Sequence, residues 1–499
     1  MNEATDHQFQ SIHQLLTRRR AGILLHITSL PGPSDVGDLG SNAYRFVDFL
    51  VSCGMSVWQI LPIGPTMHDN SPYQSSSVYA GNPRLISLEM PLQHGWLEEM
   101  PESDGVLSES IRSYAIKLAW EGFKERANDE ERDDLQRFTA EQINWLEDYA
   151  LFQALRQEEG GCWWDWPKTL RDREPQAIAM ARARLAESID VIRFEQYLFY
   201  TEWMNLKRYA NERGVLLFGD VPIFVAHDSA EVWAHREIFD LLEDGHPRVV
   251  AGVPPDYFSE TGQRWGNPLY CWDRLEAEDF AFWINRLRVQ STLFDFLRID
   301  HFRGFEAYWE IPAEEQTAVN GQWVEAPGEK LFKWLYQALP NLELVAEDLG
   351  VITPEVDALR KAYHLPGMKI LQFAFSGGAD NPYLPFHHTR DSVVYTGTHD
   401  NDTTLGWYKG LDDSTREFVD DYLGKSREIM PWPLIRTALA SRANLAVLPF
   451  QDVLGLDGHH RMNTPGTIEG NWDWRFEWDQ VKSNTAERLL HRLKMYGRH

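Results

Sequence analysis

Leu293-Phe294-Asp295-Phe296-Leu297-Arg298-Ile299-Asp300-His301-Phe302 is a short apolar run that ends abruptly in charged side chains. An apolar run of this length, without strict alternation, suits a strand buried on both faces, as in a parallel sheet. The pattern recurs. Eight such runs occupy residues 22–30, 55–63, 215–225, 293–302, 342–349, 368–375, 392–398 and 443–454. Segments of helical spacing, such as 44–53 and 330–339, lie between most of them. Strand–helix alternation repeated in this way is what a (β/α)8 barrel requires. The expected fold class is α/β, a (β/α)8 TIM barrel with helical subdomain insertions in barrel loops.

The spacing between runs is uneven. Residues 64–214 separate the second run from the third, too long a stretch for a simple loop. Within it, 108–125, 135–157 and 176–213 have helical spacing, interrupted by Trp163-Trp164-Asp165-Trp166-Pro167, whose rings read as subdomain packing. A second excursion contains Gly252, Pro254, Pro255, Gly262 and Gly266 and reads as a loop with fixed turns, not a helix. The expected organisation is a polar N-terminal segment at 1–20 and a single catalytic barrel over 21–499. That barrel carries a mainly helical inserted subdomain at about 83–213 and an active-site loop region at about 239–278.

Composition narrows the class of partner. Across 499 residues, Lys plus Arg number 48 against 75 Asp plus Glu, a net charge of −27. That field repels phosphate backbones and anionic membrane surfaces, so neither nucleic acid nor membrane is an expected partner. The 20 Trp, 18 Tyr and 25 Phe supply a large core and also flat faces that suit the C–H surfaces of sugars. Cys53, Cys162 and Cys271 are too few and too scattered for a disulfide framework and fit a reducing compartment. The polar stretch 1–20 lacks the apolar centre of a signal peptide, and no membrane-length apolar run occurs, so a cytoplasmic location is expected. There is no Cys-x-x-Cys pair, phosphate-cradling loop or EF-hand pattern, and His387-His388 and His459-His460 read as loop pairs. No cofactor and no metal are expected.

Carboxylates end several of the apolar runs. The fourth closes on Arg298-Ile299-Asp300, the fifth on Val345-Ala346-Glu347-Asp348, and the seventh on Thr398-His399-Asp400-Asn401. Taken singly, such an acid equally suits a helix cap or a solvated loop, and a lone histidine a structural role. In a barrel, however, strand C-termini share one mouth, so Asp300, Glu347 and Asp400 can converge. Crowded carboxylates raise one another's pKa, which is useful when one must attack and another must carry a proton. Retaining glycosyl transfer needs such a pair about 5–5.5 Å apart. Arg298, two residues before Asp300 on the same strand face, can hold that acid ionised by charge pairing.

Four further stretches are distinctive: Trp58-Gln59-Ile60-Leu61-Pro62-Ile63-Gly64-Pro65, Ser71-Pro72-Tyr73-Gln74, Gly219-Asp220-Val221-Pro222-Ile223, and Gly252-Val253-Pro254-Pro255-Asp256-Tyr257-Phe258-Ser259-Glu260-Thr261-Gly262-Gln263-Arg264-Trp265-Gly266-Asn267-Pro268. With the strand-end motifs, they make the chain from about Arg20 onward resemble the amylomaltase (4-α-glucanotransferase) family, glycoside hydrolase family 77. The barrel of that family is related to that of the α-amylases.

The resemblance implies a nucleophile at Asp300, a general acid/base at Glu347 and a transition-state stabiliser at Asp400. It places Arg298 and His399 around the covalently held sugar, Tyr73 among the substrate-binding groups, and Asp220 in support of the arginine. It also implies a loop arching over the cleft, with Asp256, Tyr257, Phe258 and Trp265 towards the acceptor. Such a loop excludes water and favours capture of the glycosyl group by a sugar hydroxyl. His68 stands where some family members use a tyrosine in secondary glucan binding.

The function implied is 4-α-glucanotransfer by retaining double displacement. Malto-oligosaccharides, or glucans from starch or glycogen, would act as donors, with a glucan or glucose as acceptor. The alternatives are an α-amylase-like hydrolase on the same barrel and a glucan-binding protein without activity.

Overall fold

Each of the eight apolar runs contributes one strand, because a backbone buried on both faces must find its hydrogen-bond partners in a ladder. They are β1 (Arg20–Leu24), β2 (Val57–Gln59), β3 (Leu216–Val221), β4 (Phe296–Ile299), β5 (Leu344–Ala346), β6 (Gly367–Ile370), β7 (Ser392–Tyr395) and β8 (Leu445–Pro449). The computed structural model describes residues 16–102, 106–255, 259–424, 427–467 and 469–499.

The strands form one parallel eight-stranded sheet in the order β6-β7-β8-β1-β2-β3-β4-β5. Its register pairs Arg20 with Leu445, Gly22 with Val57, and Asp220 with Arg298. Between β5 and β6 the Ala346 N–H donates to Pro366 O at 2.9 Å, which brings the two sheet edges together. The architecture is a (β/α)8 barrel.

The interior is packed. Every residue of β1, β2, β4, β5, β7 and β8 is buried. Phe218 and Phe296, opposite each other on β3 and β4, stack with centroids 4.2 Å apart and planes 16° from parallel. The Tyr395 hydroxyl on β7 donates to Gln59 Oε1 on β2 at 2.9 Å. Gly219 leaves room for the neighbouring ring, since a Cβ there would lie 2.5 Å from Phe294.

Helices cover the outside. Ser41–Cys53 follows β1, buries Ala43, Phe46, Val47 and Leu50 at helical spacing, and stops at Gly54 with φ 74°. Ala281–Leu293, Gly328–Ala338, Pro354–Ala362 and Trp432–Ala440 precede β4, β5, β6 and β8.

Three boundaries depart from the sequence reading. The first run starts its strand at Arg20 and leaves it at Leu24; Leu25, Ile27 and Leu30 are buried beyond the ladder, with Ile27–Ser29 a 3-10 turn. The 135–157 helix is two helices, Asp129–Glu141 and Ile143–Glu159, the first starting at a capping box of Asn128 and Glu131. The 176–213 helix is likewise divided into Pro175–Arg184 and Ala186–Glu212. Trp163 and Trp166 are buried, as their packing role requires.

The 239–278 region is more regular than a loop with fixed turns. It holds two strands, Val249–Val253 and Gln263–Pro268, and a helix, Trp272–Ala277. With Ala307–Pro312 and Gln322–Glu325 these strands make a separate four-stranded antiparallel sheet. Its central pairing, which sets Val250 beside Ile311, joins segments on either side of β4, so no local pattern announces it. Gly252 is required by the ladder itself, since a Cβ there would lie 2.2 Å from Gln263 O.

Filling the close approach between β3 and the Phe294 ring should be costly. Gly219→Ala is expected to destabilise the fold by about 1–3 kcal/mol, as overpacking does, read as a lower midpoint in chemical denaturation.

Candidate active site

The site is an extension of the barrel ladder. Ile299 pairs with Ala346 at the ends of β4 and β5, and the pairing continues for one more step: Glu347 N–H donates to Ile299 O at 3.0 Å. Asp300 N–H donates to Val221 O on the other side, also at 3.0 Å. Asp300 and Glu347 are therefore neighbours on adjacent strands, with backbones about 4.8 Å apart in the hydrogen-bonding direction. Both keep the parity of Arg298 and its partner Val345, so their side chains project to one face.

Arg298 organises the floor. Its Nη1 bonds both carboxylate oxygens of Asp220, at 2.8 and 2.6 Å, and its Nη2 reaches Asp300 Oδ1 at 2.8 Å. The arginine side chain is 5 % exposed and that of Asp220 fully buried, whereas Asp300 is 27 % exposed and open to the cleft. Burial opposes a charged guanidinium, but Asp220 and Asp300 override it and hold the Arg298 pKa above its ordinary value.

Glu347 is held differently. Its Oε2 accepts from the His301 N–H at 2.7 Å and its Oε1 from the Leu349 N–H at 2.8 Å. His301 adopts φ +50°, a left-handed conformation that turns its amide towards the carboxylate. Burial pushes the Glu347 carboxyl up to about 7; Arg298 and the two amides pull it down, and Asp300 pushes it further up. This acid is poised to hold a proton near neutrality.

Asp400 lies in the loop after β7. Its Oδ1 accepts from Asn463 Nδ2 at 2.7 Å, and its Oδ2 lies 3.3 Å from His399 Nε2. Desolvation acts to raise its pKa, but His399, then Asn463 and Arg298, hold it well below the usual carboxylate range. Neither Asp300 nor Asp400 serves as a helix cap, the bland role a lone acid can take. Thr403 caps the helix Thr404–Gly410, and the turn after Asp300 has no side-chain cap.

Tyr73 ties the two sides together. Its hydroxyl donates to Asp220 Oδ2 at 2.9 Å, and its ring stacks on His399 with centroids 5.3 Å apart and planes 19° from parallel. Trp265 stands edge-on to the His301 ring, 4.9 Å between centroids, on the Glu347 side. The structure thus brings together Asp300, Glu347, Arg298, Asp220 and Tyr73, with His399 and Asp400 beyond Tyr73 and Trp265 beyond His301. Asp256, Tyr257 and Phe258 lie outside the described residues.

Three contributors escaped the sequence reading. Asn463 fixes the Asp400 carboxylate, Arg461 donates to Asp400 O at 2.9 Å, and Trp472 packs against Tyr73 and His399 at 5.9 and 5.8 Å. Asn463-Thr464-Pro465-Gly466 is legible as a turn, but nothing local connects it to an acid more than sixty residues away. Among the described residues, no cluster of three His, Cys, Asp or Glu side chains has the geometry to hold a metal ion. Among the same residues, no helix is long and apolar enough to cross a membrane.

The electrostatic coupling is open to measurement. Asp300→Asn removes a negative charge that raises the Glu347 pKa, so the Glu347 carboxyl should titrate at lower pH in that variant. Infrared difference titration with labelled glutamate would show the downward shift; an unchanged or raised value would contradict the geometry.

Comparison with known proteins agrees with this arrangement. The chain matches the family profile described as 4-alpha-glucanotransferase, glycoside hydrolase family 77, over residues 25–481. It is 52% identical over 486 residues to the 4-alpha-glucanotransferase of Thermus thermophilus, covering 94% of this chain and 97% of that one. To the Synechocystis enzyme of the same name it is 46% identical, covering 97% of this chain and 99% of the relative. The amylomaltase of Streptococcus agalactiae, solved in complex with acarbose, superposes with a TM-score of 0.92 at 36% identity, over 96% of this chain and 100% of that one. The barrel, the strand-end acids and these likenesses agree: the chain belongs to the 4-alpha-glucanotransferase family, glycoside hydrolase family 77.

Proposed function

We propose that this chain transfers α-1,4-glucan segments from a donor to the 4-hydroxyl of an acceptor, with Asp300 as nucleophile and Glu347 as general acid/base. The observation that carries the reading is the adjacent pair itself. One carboxylate is ion-paired to Arg298 and open to the cleft, and the other is buried with its pKa lifted to about 7.

In the first step an Asp300 oxygen forms a bond to the anomeric carbon as the glycosidic C–O bond breaks. Glu347 gives its proton to the departing 4-oxygen, and the reducing-side fragment leaves. In the second step the Glu347 carboxylate takes the proton of an incoming 4-hydroxyl. The acceptor oxygen then bonds the anomeric carbon, releases Asp300 and retains the configuration. Asp400, kept ionised by His399 and Asn463, is suited to bind sugar hydroxyls whose contacts tighten as positive charge develops at the ring.

Transfer rather than hydrolysis follows if sugar reaches the glycosyl-aspartate more readily than water does. Trp265 beside His301 supplies a stacking surface on the acceptor side. Asp256, Tyr257 and Phe258 are assigned to the same rim through the family resemblance. Malto-oligosaccharides and longer glucans are the proposed donors, with glucose or a glucan as acceptor.

Maltotriose should be converted to glucose plus a ladder of longer chains with little net gain in reducing ends. A gain matching bond cleavage would make the protein a hydrolase. Asp300→Asn should abolish both outcomes, and full retention of transfer in that variant would remove the assigned nucleophile.

The pH profile tests the acid. Glu347 must be protonated in the first step, so kcat/KM should fall as pH rises through about 7. Glu347→Gln should lose about 10²–10⁴-fold in rate and, with it, that alkaline limb.

A further inference from the structure

The loop that presents Asp400 belongs to neither a strand nor a helix. Residues 396–403 run from the end of β7 to the helix Thr404–Gly410 and carry His399 and Asp400. Several contacts shape its tip. Asn463 and Arg461 reach Asp400, and the Asn463 N–H donates to His399 O at 3.1 Å. Within the loop, Asn401 Oδ1 accepts from the Thr398 N–H and hydroxyl at 2.8 and 2.9 Å. None of these contacts sets the distance between the two roots of the loop.

That distance is set by one acid. Asp452 lies in the short helix Phe450–Leu454, which follows β8 directly, and it is fully buried. Its Oδ2 accepts from the Thr396 hydroxyl and from the Thr404 hydroxyl, each at 2.6 Å. Its Oδ1 accepts from the Thr404 N–H at 2.7 Å. Thr396 is the first residue after β7 and Thr404 the first of the following helix, and both are also fully buried. One carboxylate therefore clasps both ends of the loop and fastens them to β8, the strand paired with β7.

The clasp is an expensive way to fill a core. All three donors are neutral, and the nearby Asp402 opposes the Asp452 charge. Burying a carboxylate on such terms costs free energy that an apolar side chain would not. What it supplies in return is geometry. Hydrogen bonds to an ionised oxygen are short and directional, and threonine side chains have few rotamers to lose.

We infer that Asp452 is a positioning residue for the transfer reaction: by clasping Thr396 and Thr404 it sets where His399 and Asp400 stand relative to Asp300. The inference rests on the reading that Asp400 stabilises the transition state. Contacts that tighten only as charge develops at the anomeric carbon are those a small displacement harms most. The rate should therefore suffer while ground-state binding is kept.

Asp452→Ala removes the clasp. If it fails to fold, Thr396→Val/Thr404→Val decides the matter alone, since it keeps the branched shape and loses only the hydroxyls. In either variant of the full chain, kcat on maltotriose should fall about 10- to 100-fold with KM unchanged. Affinity for acarbose, whose flattened ring and basic nitrogen resemble the charged transition state, should fall by a similar factor. Thr396→Ser/Thr404→Ser, which retains both hydroxyls, should recover rate and affinity.

KM and a dissociation constant do not depend on how much of the chain is folded. A lower kcat with unaltered acarbose affinity would therefore mean a structural role only, and would overturn the inference. So would wild-type kcat in the variants, or a raised KM with kcat retained. Asp400→Asn separates the two readings. If it loses rate and acarbose affinity while the clasp variants lose neither, only the positioning role falls; if it keeps both, the role of Asp400 falls and the inference with it.

Discussion

A buried guanidinium between two carboxylates is the interaction on which the active end of this barrel depends. Arg298 is nearly sealed from solvent, and its charge is tolerable there only because Asp220 on one side and Asp300 on the other complete its hydrogen bonds. Asp220 is its register partner on the neighbouring strand, so the ion pair and the β3–β4 alignment specify one another. A one-residue slip of either strand would turn its member of the pair to the opposite face and strand the other's charge in the core. From Asp220 the connection runs outward through the Tyr73 hydroxyl, and from the Tyr73 ring to His399 and Asp400. The fold and the site are thus one construction.

The three acids of the proposed mechanism share a mouth without behaving as three like charges. Asp300 has a direct ion pair with an arginine, Asp400 a histidine and an amide, and Glu347 two backbone N–H groups within a desolvated pocket whose effect Arg298 offsets in part. Environments this different drive the protonation preferences of similar groups apart, which is what assigns acid and base work to separate residues. Glu347 is lifted to about 7 and Asp400 is held low, although both sit in the cleft.

What the sequence made legible follows from the range of the signal. An apolar run is a local pattern from which all eight barrel strands could be read, and the acids that close three of the runs gave the positions of Asp300, Glu347 and Asp400. The Arg298–Asp300 pair was legible for the same reason, being two residues apart on one strand. The antiparallel sheet was not, because Val249–Val253 pairs across β4 with Ala307–Pro312 and its own glycines resemble turn signals. Asn463 and Trp472 were hidden for a related reason: their partners Asp400, His399 and Tyr73 are distant in sequence. The start of the helix Asp129–Glu141 was set by a cap at Asn128 rather than by periodicity.

The seat of Glu347 has a consequence for how such a protein can drift. Both of its anchors are peptide groups, one lent by His301 and one by Leu349, so no single exchange of a neighbouring side chain deletes either. The position of that carboxyl is inherited from the path of the chain, including the left-handed bend at residue 301. The seat of the carboxyl therefore tolerates other side chains at 301 and 349, provided the bend is kept. A proline at 301, with no amide hydrogen and no access to that bend, is the change such a history would not record.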